Sequence, residues 1–363
     1  MEENYTPNLE NIKIIKMLYK TKLSKVWIVQ NQEDKEIYIL KGRQLNKMSQ
    51  YDINCIKRER NFLEKNNSNN FPKFKKALKD HEYIYLLITF FEGLPISSIL
   101  NSKEILFDKF SSEKDFQEKK EIFLLIIIQI CKMLIELYEN NYIHRDIKMN
   151  NLIINKNLEV NLIDFGFFKN LEDKKGRTNS ICGTWHTMAP EVFQCKNNEN
   201  NYGMECDVYS FGVFIYELFK GKILFPFLDI NEKLINISND KEKEEKFNAI
   251  KNEYFLENKK DFSFNDKFSN EFLYNETEKE SIIIVEYLSD VKDFIEKCLK
   301  YNSNERINPH ELLSHHLFNN FDYENVKKKF SDKIYKNSNL NFKKLFDLIE
   351  YEGEFKDDFS KEK

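Results

Sequence analysis

The sequence has no excess of cationic charge: 56 Lys and Arg stand against 60 Asp and Glu, a net charge of −4. Nucleic-acid binding, which draws much of its affinity from cations on phosphates, is thereby set aside. No apolar run reaches membrane-spanning length, and the start, MEENYTPN, has neither a cationic apolar signal region nor a glycine at position 2 for myristoylation. The expected location is cytoplasmic or nuclear, with no membrane partner. Paired cysteines are missing as well. The six present, Cys55, Cys131, Cys182, Cys195, Cys206 and Cys298, show no CxxC spacing, which argues against a local zinc or redox motif and for free thiols in a reducing compartment.

What is present is an ordinary globular balance, 41% hydrophobic and 32% charged, over a length that suits one bilobal unit with a large core. Abundant Asn, Lys and Ile point to compositional drift, so motifs rather than single residues must carry the argument. From Ile12 to Thr89 the short β-branched and aromatic runs IKIIKMLY, KVWIVQ, EIYILK and YIYLLIT predict strands. Between the last two, Ile53, Ile56, Phe62 and Leu63 fall near helical spacing and predict one helix. From about Glu121 the pattern turns helical. EIFLLIIIQICKMLIELYEN is apolar almost all round, as for a helix at the centre of a larger lobe; Gln129, Lys132 and Glu136 argue against a membrane segment. Residues 229–285, charged and Asn-rich, read as a surface insertion, and the stretch from about Phe318 as a polar, extended tail.

Two motifs carry chemistry. His144-Arg145-Asp146-Ile147-Lys148-Met149-Asn150-Asn151 supplies a carboxylate, an ammonium two residues on and an amide five residues on; Asp164-Phe165-Gly166 follows the strand-like EVNLI. Moving a γ-phosphoryl group needs a base for the hydroxyl, metal ligands and cations on phosphate, and these groups occur in that order. Chance carboxylate clusters match either motif singly but hardly the ordered set. HRDIKMNN and DFG resemble the catalytic and metal-binding loops of eukaryotic protein kinases, with Lys148 pointing to the serine/threonine type. The resemblance implies an α+β, bilobal fold: a small, mostly antiparallel β-sheet lobe over 12–89, a larger helical lobe over 90–317 and a tail over 318–363. It also implies ATP and Mg2+ as cofactors, Asp146 as base, Lys148 on the transferred group, and Asn151 and Asp164 as metal ligands.

By the same resemblance Lys41, at the end of EIYILK, and Glu59 form the pair that neutralises the α- and β-phosphates. Leu18, Val26, Ile39, Ile88, Thr89, Phe91 and Ile153 are expected around the nucleotide. Cys182-Gly183-Thr184 and Ala189-Pro190-Glu191 close an activation segment in which Thr184 bonds Asp146 and Lys148. Glu191 should pair with Arg306, and Asp207 to Gly212 should begin a buried helix that anchors the catalytic loop. KMSQYDINCIKRERNFLEK, LKDHEYIYLLITFFEG and LFNNFDYENVKKK resemble the AGC group, especially its cyclic-nucleotide-dependent kinases. Protein substrates are implied, with regulation left to a separate subunit or an upstream kinase. Histidines 315 and 316 need no metal to explain them; a loop near a helix end suffices.

The pattern breaks at the glycine-rich loop, whose glycine positions hold Tyr19, Thr21 and Ser24. Only nine glycines occur in the chain, yet Gly166, Gly183 and Gly212 remain at kinase positions, so general depletion does not account for the loss. Ile39 stands where kinases keep a small alanine against adenine. Weakened ATP binding is expected. Pro95 and Asn150 replace glutamates that read substrate arginines, leaving Glu217 from that set. Ser180, four residues before Thr184, is the expected regulatory phosphosite, with Arg145 and Lys169 placed to meet its charge. Two readings therefore stay open: an active serine/threonine kinase, and a pseudokinase that binds or scaffolds. A small-molecule kinase is disfavoured by the peptide platform that Gly183-Thr184 and Ala189-Pro190-Glu191 resemble.

Overall fold

β-branched and aromatic residues, which supply both faces of the central strands, drive the first part of the chain into an antiparallel sheet. The computed structural model describes residues 9–21, 23–100, 107, 110–172, 176–195, 201–225 and 278–331. They fall in two compact units, Met1–Glu92 with Asn161–Lys169, and Gly93–Val160 with Asn170–Lys363. The first holds β1 (Ile12–Lys20), β2 (Ser24–Asn31), β3 (Ile37–Gln44), helix α1 (Gln50–Lys65), β4 (Phe74–Lys79) and β5 (Tyr83–Thr89), with sheet order β1-β2-β3-β5-β4.

Cross-strand register sorts the sheet's side chains by face. Trp27 pairs with Leu40, and Leu40 with Leu87. With Val29, Tyr38, Tyr83 and Tyr85 these residues form a buried apolar cluster on one face. The next residues along the strands point the other way. Val26, Lys41 and Leu86 line up in one row there, and Ile28, Ile39 and Ile88 in another. Helix α1 starts at Ser49, whose hydroxyl accepts from the Asp52 N–H while the Asp52 carboxylate accepts from the Ser49 N–H. Such a reciprocal cap satisfies two otherwise orphaned donors and fixes where the helix begins. Helix periodicity then buries Cys55, Ile56, Glu59, Phe62 and Leu63.

The second unit holds β6 (Leu94–Pro95), α2 (Ile96–Leu100), α3 (Glu113–Glu139), β7 (Tyr142–Ile143), β8 (Leu152–Ile154), α4 (Pro190–Phe193), α5 (Glu205–Lys220), α6 (Glu278–Cys298) and α7 (Tyr323–Ser331). The expected EVNLI strand forms over Val160–Leu162. Helix α3 is buried almost all round. Its one polar interruption at the centre, Gln129, spends its whole amide on the backbone: Nε2 donates to the Leu125 and Leu158 carbonyls and Oε1 accepts from Val160 N–H. A buried amide so satisfied costs little. Among the described residues no helix is long and apolar enough to cross a membrane.

Two expectations change. FKKALK, passed over in the sequence, is strand β4. The tail begins not as an extended segment but as helix α7, where Val326 is buried, Lys329 pairs with Glu121 and the Lys132 ammonium lies 3.6 Å from the Tyr323 ring centre. Of the surface insertion expected over 229–285, residues 278–285 instead open helix α6, where Ile284 is buried, and residues 229–277, like the tail beyond Ser331, lie outside the described residues.

Candidate active site

In the sheet unit, a lysine in β3 must find counter-charge if it is to be held at a low-dielectric site. It finds two carboxylates: Lys41 Nζ lies 2.9 Å from Glu59 Oε1 and 3.2 Å from Asp164 Oδ1. Burial pulls the Lys41 pKa down, but the neighbouring carboxylates of Glu59 and Asp164 more than reverse this and hold it above the usual lysine range. The ammonium is therefore a fixed cation. Glu59 is buried on α1, and Asp164 sits at φ 65°, a left-handed backbone that turns its side chain toward Lys41. Phe165 turns into the unit instead. Its ring centre lies 4.9 Å from that of Phe62 and 5.7 Å from that of Phe71, and the Phe62 ring in turn packs at a tilt of 39° on Phe168, 4.2 Å between centres. Phe62 follows Glu59 on α1, so one helix locates both the lysine's partner and the phenylalanine beside Asp164. Sequence reading missed this cluster, although Phe62 at i+3 from Glu59 was a usable signal.

Of the residues expected around a nucleotide, Val26, Ile39 and Ile88 share the Lys41 face of the sheet. Thr89 closes β5 by accepting from Lys73 N–H through its hydroxyl, Phe91 is half-buried beyond it, and Leu18 is 48% exposed on β1. Ile153 belongs to the helical unit, buried in β8. The β1–β2 turn is closed on itself. Thr21 N–H donates to the Ser24 carbonyl at 2.7 Å, and the Thr21 hydroxyl accepts from Ser24 N–H at 3.0 Å and from Leu23 N–H at 3.4 Å. Among the described residues of this turn, the N–H groups of Thr21, Leu23 and Ser24, of the kind a glycine loop offers to phosphates, are thus engaged within the turn itself.

In the helical unit, buried Asp207 at the start of α5 accepts from both His144 and Arg145 N–H at 2.7 Å. Burial raises its carboxyl to about 6 against the pull of these two donors. The catalytic loop is thus tied to the core at the residue before Asp146. Asp146 Oδ1 accepts from the Thr184 hydroxyl at 2.5 Å, Oδ2 accepts from Asn151 Nδ2 at 2.8 Å, and Lys148 Nζ lies 2.9 Å from Oδ2. Lys148 also donates to Thr184 Oγ1 at 2.7 Å. Thr184, Lys148, Asn151 and Asp146 therefore form the constellation that the motifs implied. Asn151 directs both Nδ2 bonds at Asp146, and its Oδ1 is the end that takes no part in them. That oxygen and the Asp164 carboxylate are hard donors of the kind magnesium takes.

The peptide-platform segment is pinned from several sides. Gly183 has φ +110°, and a Cβ there would overlap the Arg145 carbonyl oxygen, so only glycine passes. Ser210 on α5 donates to the Thr187 carbonyl at 2.8 Å. Arg306 meets Glu191 through two parallel bonds of 2.5 and 2.6 Å and is itself almost fully buried. Ser180 Oγ accepts from Arg145 Nη1 at 2.6 Å. Lys169, the other cation expected at Ser180, belongs to the sheet unit. Glu217 is buried with no described partner on Oε1, and burial raises it to about 7.

Asp293, His315 and His316 bring ligand atoms within 4.8 Å of one another. Leu317 N–H donates to His315 Nδ1, which keeps the neutral ring's proton on Nε2, facing Asp293 Oδ2 at 2.9 Å. A nitrogen that carries the proton cannot ligate, so the grouping reads as a hydrogen-bonded ion-pair cluster.

An antiparallel sheet with a Lys–Glu–Asp cluster on one face, and a helical unit whose catalytic loop hangs from a buried aspartate, together define the protein-kinase class. Comparison with known proteins agrees, since residues 14–318 match the protein kinase domain. The chain belongs to that family. It is similar to the citron Rho-interacting kinase of Mus musculus, 28% identical over 207 residues that cover 56% of this chain and 9% of that protein. It is similar also to developmentally-regulated protein kinase 1 of Dictyostelium discoideum, 36% identical over 163 residues (45% of this chain, 21% of that protein). A third is serine/threonine-protein kinase AtPK1/AtPK6 of Arabidopsis thaliana, 28% identical over 227 residues (62% and 45%). In each case this chain spans less than half of the relative's length.

Proposed function

We propose that the protein is a Mg2+- and ATP-dependent transferase that phosphorylates serine or threonine hydroxyls of proteins. The observation that carries this reading is Asp146, whose two oxygens are aimed by buried Asn151 and by half-buried Thr184 and Lys148. In the reaction the substrate oxygen bonds to the γ-phosphorus as the bond to the β–γ bridging oxygen breaks. Asp146 orients and receives the hydroxyl proton, Lys148 meets the transferred group, and ADP leaves. Lys41 supplies the fixed cation for the nucleotide phosphates. Asn151 and Asp164 are the residues that would hold Mg2+, which neutralises phosphate charge when bound. Radiolabel transfer from ATP to a protein acceptor by the wild type, lost in Asp146→Asn, is the expected result; absence of transfer in both sinks it.

Phosphorylation of Ser180 by an upstream kinase or by the protein itself is the proposed activating step, since Arg145 already holds the Ser180 hydroxyl. Ser180→Ala should be less active than wild type isolated with Ser180 phosphorylated; equal activity would remove this step. Arginine preference upstream of the acceptor should be reduced, because Pro95 and Asn150 leave Glu217 as the one acid of that set. A peptide library selecting arginine strongly would refute it. The internally bonded β1–β2 turn favours a second reading, a pseudokinase that binds partners without transfer. Thermal stabilisation by Mg-ATP measured beside label transfer separates the two. The proposed compartment is the cytosol or nucleus.

A further inference from the structure

Tyr202 lies outside every motif, yet it is among the largest fully buried side chains. Its backbone forms an isolated antiparallel bridge with Thr178, with N–H···O bonds of 2.8 Å in both directions. Its hydroxyl donates to the Ser180 carbonyl at 2.5 Å and accepts from Arg145 Nη1 at 3.1 Å. The same Nη1 donates to Ser180 Oγ. Arg145, Ser180 and Tyr202 thus close a triangle inside the helical unit, and the Arg145 backbone is the one that Asp207 holds and Gly183 passes over. Burial raises the Tyr202 phenol far above the ordinary tyrosine range, so it stays an O–H donor throughout the working pH range.

We propose that Tyr202 is a positioning residue that holds the activation segment against the catalytic loop while Ser180 carries no phosphate. This inference rests on the kinase reading and on Ser180 as its phosphosite. Without a phosphate, a serine hydroxyl alone gives Arg145 one weak, neutral acceptor. Tyr202 adds a backbone clamp at residue 178, a bond to the residue 180 carbonyl and a second acceptor for the guanidinium. Segment order, and with it the Thr184–Asp146 contact, is then built into the unmodified protein. A phosphate on Ser180 would offer Arg145 charged oxygens in place of neutral ones and make the phenol bond dispensable. Tyr202 therefore sets basal activity, and phosphorylation relieves the dependence on it.

The test compares wild type and Tyr202→Phe in two forms, one with Ser180 unmodified and one with phosphoserine incorporated at position 180 during translation. In the unmodified form, Tyr202→Phe should speed amide exchange over residues 178–184 and lower kcat about tenfold, with KM for ATP unchanged, as expected for losing one or two buried hydrogen bonds. In the phosphoserine form both effects should shrink below about twofold. Equal losses in the two forms, or failure of both to fold, would mean a structural role only and overturn the proposal. Unchanged exchange in the unmodified variant overturns it too. Folding restored by phosphoserine alone supports it. If no form with Tyr202 intact transfers phosphate, the kinase reading fails, and amide exchange then decides the Tyr202 inference by itself.

Discussion

The β1–β2 turn and the catalytic loop meet the same physical demand, satisfied backbone and side-chain polar groups, in opposite ways. In the turn, the N–H groups of Thr21, Leu23 and Ser24 are closed onto the protein itself, two of them by the Thr21 hydroxyl. In the loop, Asp207 takes the backbone donors of His144 and Arg145, so that Asp146, Lys148 and Asn151 are freed to face one another. A polar group satisfied by its neighbours fixes shape; chemistry needs a polar group held in place by something else. The catalytic loop has such a holder in α5. The turn has none, and this divides the proposed transfer site from the proposed phosphate cover.

The largest effect should come from cutting that comparison at Asp146. Asp146→Asn keeps the side-chain volume and an acceptor for Thr184 or Asn151 but removes the base. Transfer should fall by about a hundred- to ten-thousandfold, measured as kcat. Mg-ATP should still raise the melting temperature of this variant. Lys41→Met should show the converse, losing nucleotide stabilisation with its fixed cation and leaving Glu59 without its ammonium. If the two variants behave alike, the assignment of binding to one unit and transfer to the other is wrong.

How much of this could be read in the sequence follows from how local each feature is. HRDIKMNN, DFG and the Lys41–Glu59 pair were legible because their chemistry is strung along the chain in a fixed order. Helix α3 was legible because its apolar residues wrap all sides, and only its one buried amide needed the structure to explain it. Strand β4 was not. FKKALK hides its pairing behind three lysines, and an edge strand that exposes most of its side chains has no alternation to display. The start of α7 was misread for a similar reason, since a short, lysine-rich helix looks like a solvated tail until Val326 is seen to be covered. Tyr202 was illegible because its partners lie far off in sequence at Arg145 and Ser180, and no periodicity announces a contact of that range.

Next in size is the pair that holds the platform segment. Arg306→Ala strands Glu191, and Glu191→Ala strands a guanidinium almost without solvent access. Each should destabilise the protein by about 3–5 kcal/mol in chemical denaturation. Replacing both partners should cost less than the worse single variant. An equal or larger loss in the double variant would show that the segment is not held by this pair.

Helix α5 carries its own contrast, between Asp207 with donors on both oxygens and Glu217 with Oε1 unpartnered among the described residues. Burial raises Glu217 to about 7, above its ordinary value of 4.5, so folding favours the protonated acid. Its favourable contribution is complete below about pH 4.5 and is lost as pH rises through 7, where the buried group must ionise. Glu217→Gln should therefore stabilise the protein at pH 8 by on the order of 2–3 kcal/mol and change little at pH 5. A stabilisation independent of pH would mean that the acid is neutral throughout or partnered in solution.

The smallest effect tests the turn itself. Tyr19→Gly, Thr21→Gly and Ser24→Gly combined remove the Thr21 hydroxyl that now accepts from Leu23 and Ser24 N–H, and remove Cβ atoms that would keep phosphates away from the backbone. Glycine also loosens the turn, and ordering it again on a nucleotide costs roughly 0.5–1 kcal/mol per residue, which offsets much of the gain from new N–H···phosphate bonds. The net expectation is an ATP affinity about three- to tenfold tighter by calorimetry, with kcat on saturating ATP changed little. Because Thr21 lies in one unit and Asp146 in the other, an increase in kcat instead would mean that the turn acts on transfer rather than on binding. Unchanged affinity would mean that Ile39 beside the adenine position, and not the sealed turn, limits the nucleotide; Ile39→Ala alone should then produce the gain that the glycines did not.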